Sequence, residues 1–148
     1  MLRTFARIII ILFTVDVYGS TDYQPSAFIE DTKFIGSLHQ NNEVEMFLGI
    51  PFAVPPINDL RWEKPVAWTP ENKKAITTNK FRPACIQNQR IVNWYKRLIL
   101  DFGGDPETFD IPEFSEDCLY LNLWRPKGLK DNLPVIVYIH GGSNKAGW

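Results

Sequence analysis

The residues best suited to chemistry lie near the end of the chain, where His140, Gly141 and Gly142 follow one another. An imidazole can exchange a proton, and glycines let a backbone turn sharply and approach a ligand that a Cβ would keep away. Backbone N–H groups presented in this way can stabilise an oxygen atom that gains negative charge. The pattern therefore predicts a reaction or binding site at these three residues.

A short apolar run precedes this site and predicts the element that positions it. Leu133 to His140 contains five consecutive β-branched, aliphatic or aromatic residues, bounded by Pro134 and the glycines. The run is too short for a buried helix, and without alternation it is typical of a strand buried on both faces of a helix-covered sheet. The carboxyl end of such a strand is the usual place for a ligand.

Two blocks upstream make the pattern more specific. SEDCLYLN occupies Ser115–Asn122, and FLGIPFA at Phe47–Ala53 is followed by Pro55-Pro56 and Leu60-Arg61-Trp62. Together with the later His-Gly-Gly, these blocks resemble the type-B carboxylesterase and cholinesterase family of α/β-hydrolases, in the same order. The resemblance covers roughly Phe28 to the end of the chain.

The resemblance implies an α/β fold, namely the truncated N-terminal part of an α/β-hydrolase. A small antiparallel N-terminal sheet would be followed by the first strands of the central mixed sheet, and residues 20–148 would form a partial type-B domain. In the residues themselves, strand-like segments at Phe28–Leu38 and Val44–Ile50 flank a polar turn at His39–Asn42. They are expected to form an antiparallel pair.

The resemblance also assigns roles at the glycine site. In this family the backbone N–H groups of the loop form an oxyanion hole for ester hydrolysis, here Gly141, Gly142 and Ser143. His140 would shape the loop, because a triad histidine follows the serine in this fold. Ser143 lacks an elbow motif and is not expected to be a nucleophile. No G-x-S-x-G occurs in the sequence, so nucleophile and triad partners are absent and this chain alone is predicted to be inactive.

Two structural pairs are expected on the same grounds. The two cysteines, Cys85 and Cys118, allow one intrachain disulfide, although two buried free thiols are the alternative. The family closes a disulfide at this spacing, which would stabilise the fold by about 3–4 kcal/mol in the chain-entropy estimate. Arg61 is expected to make a buried bidentate contact with Glu116, the alternative being two separate solvated charges.

An amphipathic helix is predicted between the cysteines. Ile91, Tyr95, Leu98 and Phe102 recur at helical spacing, and Gly103-Gly104 would end the helix. Its apolar face could pack on the protein, line a gorge or contact a membrane, and packing is favoured. Thr108 stands where cholinesterases keep a tryptophan for a quaternary ammonium, which disfavours choline esters.

The N-terminus has the features of a signal peptide over residues 1–19. Arg3 and Arg7 precede an apolar core at Ile8–Phe13, and cleavage is expected near Gly19 or Ser20. A membrane anchor is the alternative, but the apolar run is shorter than the ~20 residues that span a bilayer. We therefore expect a secreted, extracellular protein, with membrane association unlikely after removal of this segment.

The amino-acid composition and net charge limit the kinds of binding partner that are expected. The 148 residues are 45% hydrophobic and 14% aromatic with a net charge of -1, which is a globular composition of at most one domain. No basic surface favours nucleic acid. We expect neither cofactor nor metal, and a small-molecule carboxylic ester as substrate of the full-length protein.

Three hypotheses follow. The chain is the N-terminal part of an active secreted carboxylesterase, a non-catalytic adhesion or binding protein resembling the neuroligins, or a short secreted binding or decoy domain. The codons after Trp148 distinguish them. Ester specificity and oligomeric state are left open by the sequence.

Overall fold

The computed structural model describes residues 23–70, 75–129, 132–143 and 145–148. Its strands are β1 (Ser26–Ile29), β2 (Thr32–Ile35), β3 (Ser37–Leu38), β4 (Val44–Pro51), β5 (Ala75–Thr77), β6 (Ala84–Cys85), β7 (Phe114–Ser115) and β8 (Tyr120–Pro126). The helix α1 spans Arg90–Asp101, and 3-10 turns lie at Asn58–Leu60 and Pro106–Thr108. The predicted signal peptide lies outside the described residues.

The strands form three small sheets. In the first, β2 pairs antiparallel with β1 and parallel with β5. In the second, β4 lies between β3 and β8 and is antiparallel to both. The third is a short parallel pair of β6 and β7. Mixed and antiparallel sheets are therefore both present, as the sequence predicts.

The N-terminal hairpins differ in detail from the prediction. Phe28–Leu38 is divided among three strands, because the chain turns after Ile29 with Glu30 in a left-handed conformation (φ 51°). The predicted pair across His39–Asn42 does form, but β3 contributes only two residues to it. The sequence pattern missed this turn because Asp31 is its only typical turn residue and Glu30 gives no turn signal.

A bulge at Gly49 interrupts the pairing of β4 with β8. The register shifts between Phe47 and Ile50, and Gly49 adopts φ 76°. Its N–H donates instead to Asn122 Oδ1 at 2.8 Å. A Cβ on Gly49 would lie 2.6 Å from the Arg82 Cγ and 2.9 Å from the Lys80 carbonyl oxygen, so only glycine fits. The FLGIP and SEDCLYLN blocks thus meet at this bulge.

The core is small and contains a buried carboxylate. Phe34, Phe47 and Val92 are among the few buried apolar side chains. Glu45 on β4 is 1% exposed and accepts hydrogen bonds from the Tyr23 hydroxyl and from Arg125 Nε on β8. Arg125 also donates to the Ser26 carbonyl and lies over the Phe47 ring, 5.2 Å from its centroid. This network attaches the segment before β1 to the second sheet.

Burial and hydrogen bonding have opposite effects on Glu45. Burial by itself would raise its pKa, but the hydrogen bonds from Tyr23 and Arg125 outweigh this and leave the pKa below its usual value. The hydrogen bond to Glu45 in turn raises the pKa of Tyr23. Glu45 is therefore held as a carboxylate at neutral pH.

The predicted helix forms, but most of its apolar face is not covered. α1 ends before Gly103, which has φ 78°, and the Gly104 N–H bonds the Ile99 carbonyl at 2.8 Å. Val92 is the only residue of the helix that is buried, whereas Phe102 is 85% exposed. The favoured interpretation, packing on this chain, holds in part, because Val92 is buried and the Tyr95 ring stacks on Phe109 with centroids 5.4 Å apart. Within the described part of the chain, no helix is long and apolar enough to cross a membrane.

The strand predicted at Leu133–His140 is not formed. Of the described residues, none pairs with this segment as a strand, and Val135 to Ile139 are 79–93% exposed. The physical reason is the absence of neighbours, since a strand exists only through hydrogen bonds to adjacent strands. The apolar pattern remains that of a strand intended for burial on both faces.

Candidate functional site

A disulfide links β6 to the SEDCLYLN block. Cys85 on β6 and Cys118 are bonded, with an S–S distance of 1.98 Å and Cα atoms 5.0 Å apart. The parallel pairing of Cys85 with Ser115 brings the two halves of the loop together. The disulfide expected from the resemblance is therefore present, and α1 lies within the segment that it closes.

Arg61 and Glu116 form a bidentate ion pair beside the disulfide. Arg61 Nε and Nη2 each donate to one Glu116 oxygen at 2.5 Å. The hydrogen bonds from Arg61 lower the pKa of Glu116 below its usual value. The pair is not buried as expected, because the two side chains are 50% and 37% exposed. It ties the segment after β4 to the block that carries Cys118.

The glycine loop, residues 140–143 and 145–148, is a tight turn. Gly142 and Ser143 have φ angles of 131° and 57°, and the Lys145 N–H donates to the Gly142 carbonyl at 3.0 Å. A Cβ on Gly142 would overlap the Ala146 carbonyl oxygen, so no larger residue fits there. His140 Nδ1 lies 3.0 Å from the Gly141 carbonyl oxygen, in contact with the loop backbone.

The first three backbone amides after His140 are open. Among the described residues, none accepts a hydrogen bond from the N–H of Gly141, Gly142 or Ser143. Gly141 and Ser143 are exposed, and Gly142 is partly exposed. Unpaired donors on a strained turn are suited to bind an anion or an oxygen that develops negative charge.

A cleft of about 480 Å³ lies next to the loop. Gly141 and Gly142 form part of its wall, whereas Ser143 and Thr108 do not line it. The rest of the wall is mainly aromatic and comes from α1, the segment after it and the end of the chain: Ile91, Trp94, Tyr95, Phe109, Tyr138, His140, Gly147 and Trp148. Two residues with unpaired N–H groups thus line a cleft whose wall is mainly aromatic.

Sequence reasoning did not find the residues that contact the end of the loop. Gly147 is hydrogen-bonded to the side chain of Gln87 through both its N–H and its carbonyl. Trp148 packs against Phe109 and Phe114, with ring centroids 5.9 and 6.1 Å apart. Gln87 belongs to no motif, and its position two residues after Cys85 was the only available signal.

Comparison with known proteins identifies the family of this chain. A sequence profile of the carboxylesterase family matches residues 26–147. The chain belongs to the carboxylesterase family. The resemblance seen in its motifs is thereby confirmed.

Similar proteins include several esterases. A fumonisin B1 esterase of Sphingopyxis macrogoltabida is 36% identical over 138 residues, which cover 87% of this chain and 22% of that protein. Carboxylesterase 1E of Rattus norvegicus is 38% identical over 109 residues, covering 67% and 17%. A probable cholinesterase of Acanthamoeba polyphaga mimivirus is 37% identical, covering 70% and 16%. The chain spans about a fifth of the length of these curated relatives.

Solved structures support the fold assignment. A PNB esterase superposes with a TM-score of 0.64 at 28% identity, covering 82% of this chain and 22% of that one. A thermophilic PNB esterase gives a TM-score of 0.63. The arrangement of small sheets and α1 in this carboxylesterase-family chain is thus part of an α/β-hydrolase fold. Within the described residues, no cluster of His, Cys, Asp or Glu could hold a metal ion.

Proposed function

We propose that residues 20–148 are the N-terminal part of a secreted serine carboxylesterase and supply the oxyanion hole for hydrolysis of a small-molecule carboxylic ester. One observation carries the proposal: Gly141 and Gly142 line a cleft, and their N–H groups donate to no described residue. The esterase names of similar proteins point the same way. The nucleophile and its partners belong to chain beyond residue 148, since the sequence has no G-x-S-x-G.

The loop would act when a serine attacks the ester carbonyl. The carbonyl oxygen then becomes a tetrahedral oxyanion, and amides already aimed at it stabilise the developing charge without reorganisation. Removing one such donor raises the barrier by about 3–4 kcal/mol. Gly141 and Gly142 are the primary donors in this proposal, with the Ser143 N–H on the same turn, and His140 holds the loop backbone.

Export is part of the proposal. The signal peptide at residues 1–19 would direct the chain into an oxidising compartment, where the Cys85–Cys118 disulfide forms and persists. The aromatic wall of the cleft would receive an apolar part of the ester.

The first test is the transcript sequence beyond Trp148. An elbow serine followed by an acid and a histidine, together with hydrolysis of a short-chain aryl ester by the encoded protein, would support the proposal. A replaced serine and no hydrolysis would overturn it in favour of a neuroligin-type binding protein. An in-frame stop directly after Trp148 in independent transcripts would overturn it in favour of a short secreted domain.

The second test compares two glycines in that longer protein. Gly142→Ala cannot fit without moving the turn, since its Cβ would meet the Ala146 carbonyl. We expect kcat to fall about 10²–10³-fold with KM little changed. Gly128→Ala is the matched control, because Gly128 also has a positive φ (81°), a Cβ there has nothing within 4 Å, and Gly128 does not line the cleft. Equal activity of the two variants would contradict an oxyanion role for this turn.

A further inference from the structure

The side chain of Gln87 forms two hydrogen bonds with the backbone of Gly147, as a neighbouring strand does. Gly147 N–H donates to Gln87 Oε1 at 2.6 Å, and Gln87 Nε2 donates to the Gly147 carbonyl at 3.0 Å. A single primary amide thus satisfies both backbone groups of one residue. A carboxylate or a hydroxyl in its place could not make both contacts in the same way.

Gly147 in turn lies against the first residues of the glycine loop. A Cβ on Gly147, whose φ is 127°, would overlap His140 Nδ1 and lie 2.5 Å from the Gly141 carbonyl oxygen. The preceding residue, Ala146, has its carbonyl oxygen directly beside Gly142. The position of Gly147 therefore fixes how closely residues 146 and 147 approach the turn at residues 140–142.

Gln87 is also linked to the Cys85–Cys118 disulfide. Gln87 Nε2 also donates to the Cys85 carbonyl at 3.1 Å, and Cys85 is bonded to Cys118. Gln87 is only partly exposed, and the neighbouring Asn88 side chain is used elsewhere, accepting from the Arg90 N–H. A continuous series of contacts runs from the disulfide through Gln87 and Gly147 to the Gly141 carbonyl.

We infer that Gln87 is a positioning residue, which fixes the glycine loop to the Cys85–Cys118 disulfide and so sets the direction of the loop amides. Its relevance to ester chemistry rests on the proposed function. The inference that Gln87 holds the loop in place does not depend on the proposed function. The experiments below can therefore overturn either claim without the other.

Hydrogen exchange of the full chain, measured by mass spectrometry in dilute solution, tests the inference. Gln87→Ala removes both bonds to Gly147. Because the Gly147 N–H thereby loses its hydrogen-bond acceptor, we expect its exchange to accelerate on the order of tenfold. The Lys145 amide, bonded within the same turn, should also accelerate. Gln89→Ala is the matched control, since Gln89 is exposed and makes no capping bond. The Leu48 amide, bonded to the Thr78 carbonyl, should not change in any variant.

Gln87→Glu separates positioning from a general effect on stability. The carboxylate introduced by this change can accept from the Gly147 N–H but faces the Gly147 and Cys85 carbonyls without a proton to donate. Protection of the Gly147 amide from exchange should therefore be low at pH 7. It should partly recover below about pH 4, when the carboxyl group gains its proton. After correction for intrinsic exchange rates, the Gln87→Ala variant should show no such recovery.

Reduction of the disulfide completes the test. Two-electron reduction by a dithiol gives the Cys85 and Cys118 thiols, and Gly147 protection should then fall in the wild-type chain but change little in Gln87→Ala. Unchanged Gly147 exchange in Gln87→Ala, or pH-independent protection in Gln87→Glu, would overturn the inference. Slow loop exchange in a longer protein that does not hydrolyse esters would overturn the proposed function while leaving Gln87 its role.

Discussion

At the scale of single residues, the most consequential contact is the one that pairs a buried carboxylate. Glu45 is held by Arg125 at 2.6 Å, and Arg125 is itself only 23% exposed. Arg125→Met would leave the carboxylate buried with Tyr23 and the Gly128 backbone as its remaining partners. We expect the free energy of unfolding to fall by about 3 kcal/mol, measured by urea titration of tryptophan fluorescence in dilute solution.

Two comparisons make this prediction specific. Arg97→Met breaks an exposed ion pair with Asp101 on α1 and should change stability by about 0.5 kcal/mol or less. Glu45→Gln added to Arg125→Met removes the unpaired charge and should recover part of the loss. If the Arg125 and Arg97 variants were equally stable, the buried pair would be shown to contribute nothing.

The same carboxylate predicts a pH dependence. The pKa values of Glu45 and Glu116 in the folded chain lie below the usual 4.5, so the unfolded chain binds their protons more readily. The stabilisation is complete above about pH 4.5 and is lost as pH falls through the lower, folded-state values. Urea midpoints measured between about pH 6 and pH 3 should therefore decrease, and Glu45→Gln should flatten the curve. A wild-type slope retained in Glu45→Gln would exclude Glu45 as its source.

At the scale of elements, the bulge in β4 is the most demanding local geometry. Gly49→Ala would require a left-handed alanine and also push its Cβ against the Lys80 carbonyl at 2.9 Å. Gly128→Ala is the control, since Gly128 has a similar φ of 81° but nothing within 4 Å of its Cβ. We expect urea titration to show about 1 kcal/mol lost for Gly128→Ala and a further ~1–3 kcal/mol for Gly49→Ala. Equal losses would mean that the left-handed conformation, and not the contact with the Lys80 carbonyl, requires glycine at position 49.

Elements that rest on local contacts could be predicted from the sequence, and those that depend on distant neighbours could not. The helix at α1 follows from its apolar spacing and the glycines after it. The disulfide joins distant residues and was predicted only because the motif around Cys118 resembles that of a known family. Leu133–His140 failed as a strand because its pattern describes an environment that the described residues do not provide. Gln87 was missed because a side chain that replaces a strand partner leaves no periodic signal.

At the scale of the whole molecule, the chain holds its loop but covers little of its apolar surface. The glycine loop is fixed from two sides, by Gln87 and by the ring contacts of Trp148. The helix and the segment before the loop leave large apolar side chains exposed, among them Phe102, Ile136 and Val137. In a carboxylesterase-family chain that spans about a fifth of the length of its relatives, the described residues therefore leave a strand-like apolar segment uncovered.

That exposed surface predicts association of the isolated chain. Val135 to Ile139 are 79–93% exposed, and an apolar strand-like segment without partners is a template for pairing between chains. Ile136→Lys should weaken association by roughly tenfold or more, because burial of one isoleucine is worth about 1.5–3 kcal/mol. Sedimentation velocity over a range of concentrations measures this. Val66→Lys makes the same change at a half-exposed site elsewhere and should have little effect. A wild-type chain that stays monomeric at every concentration would show that this surface does not drive association.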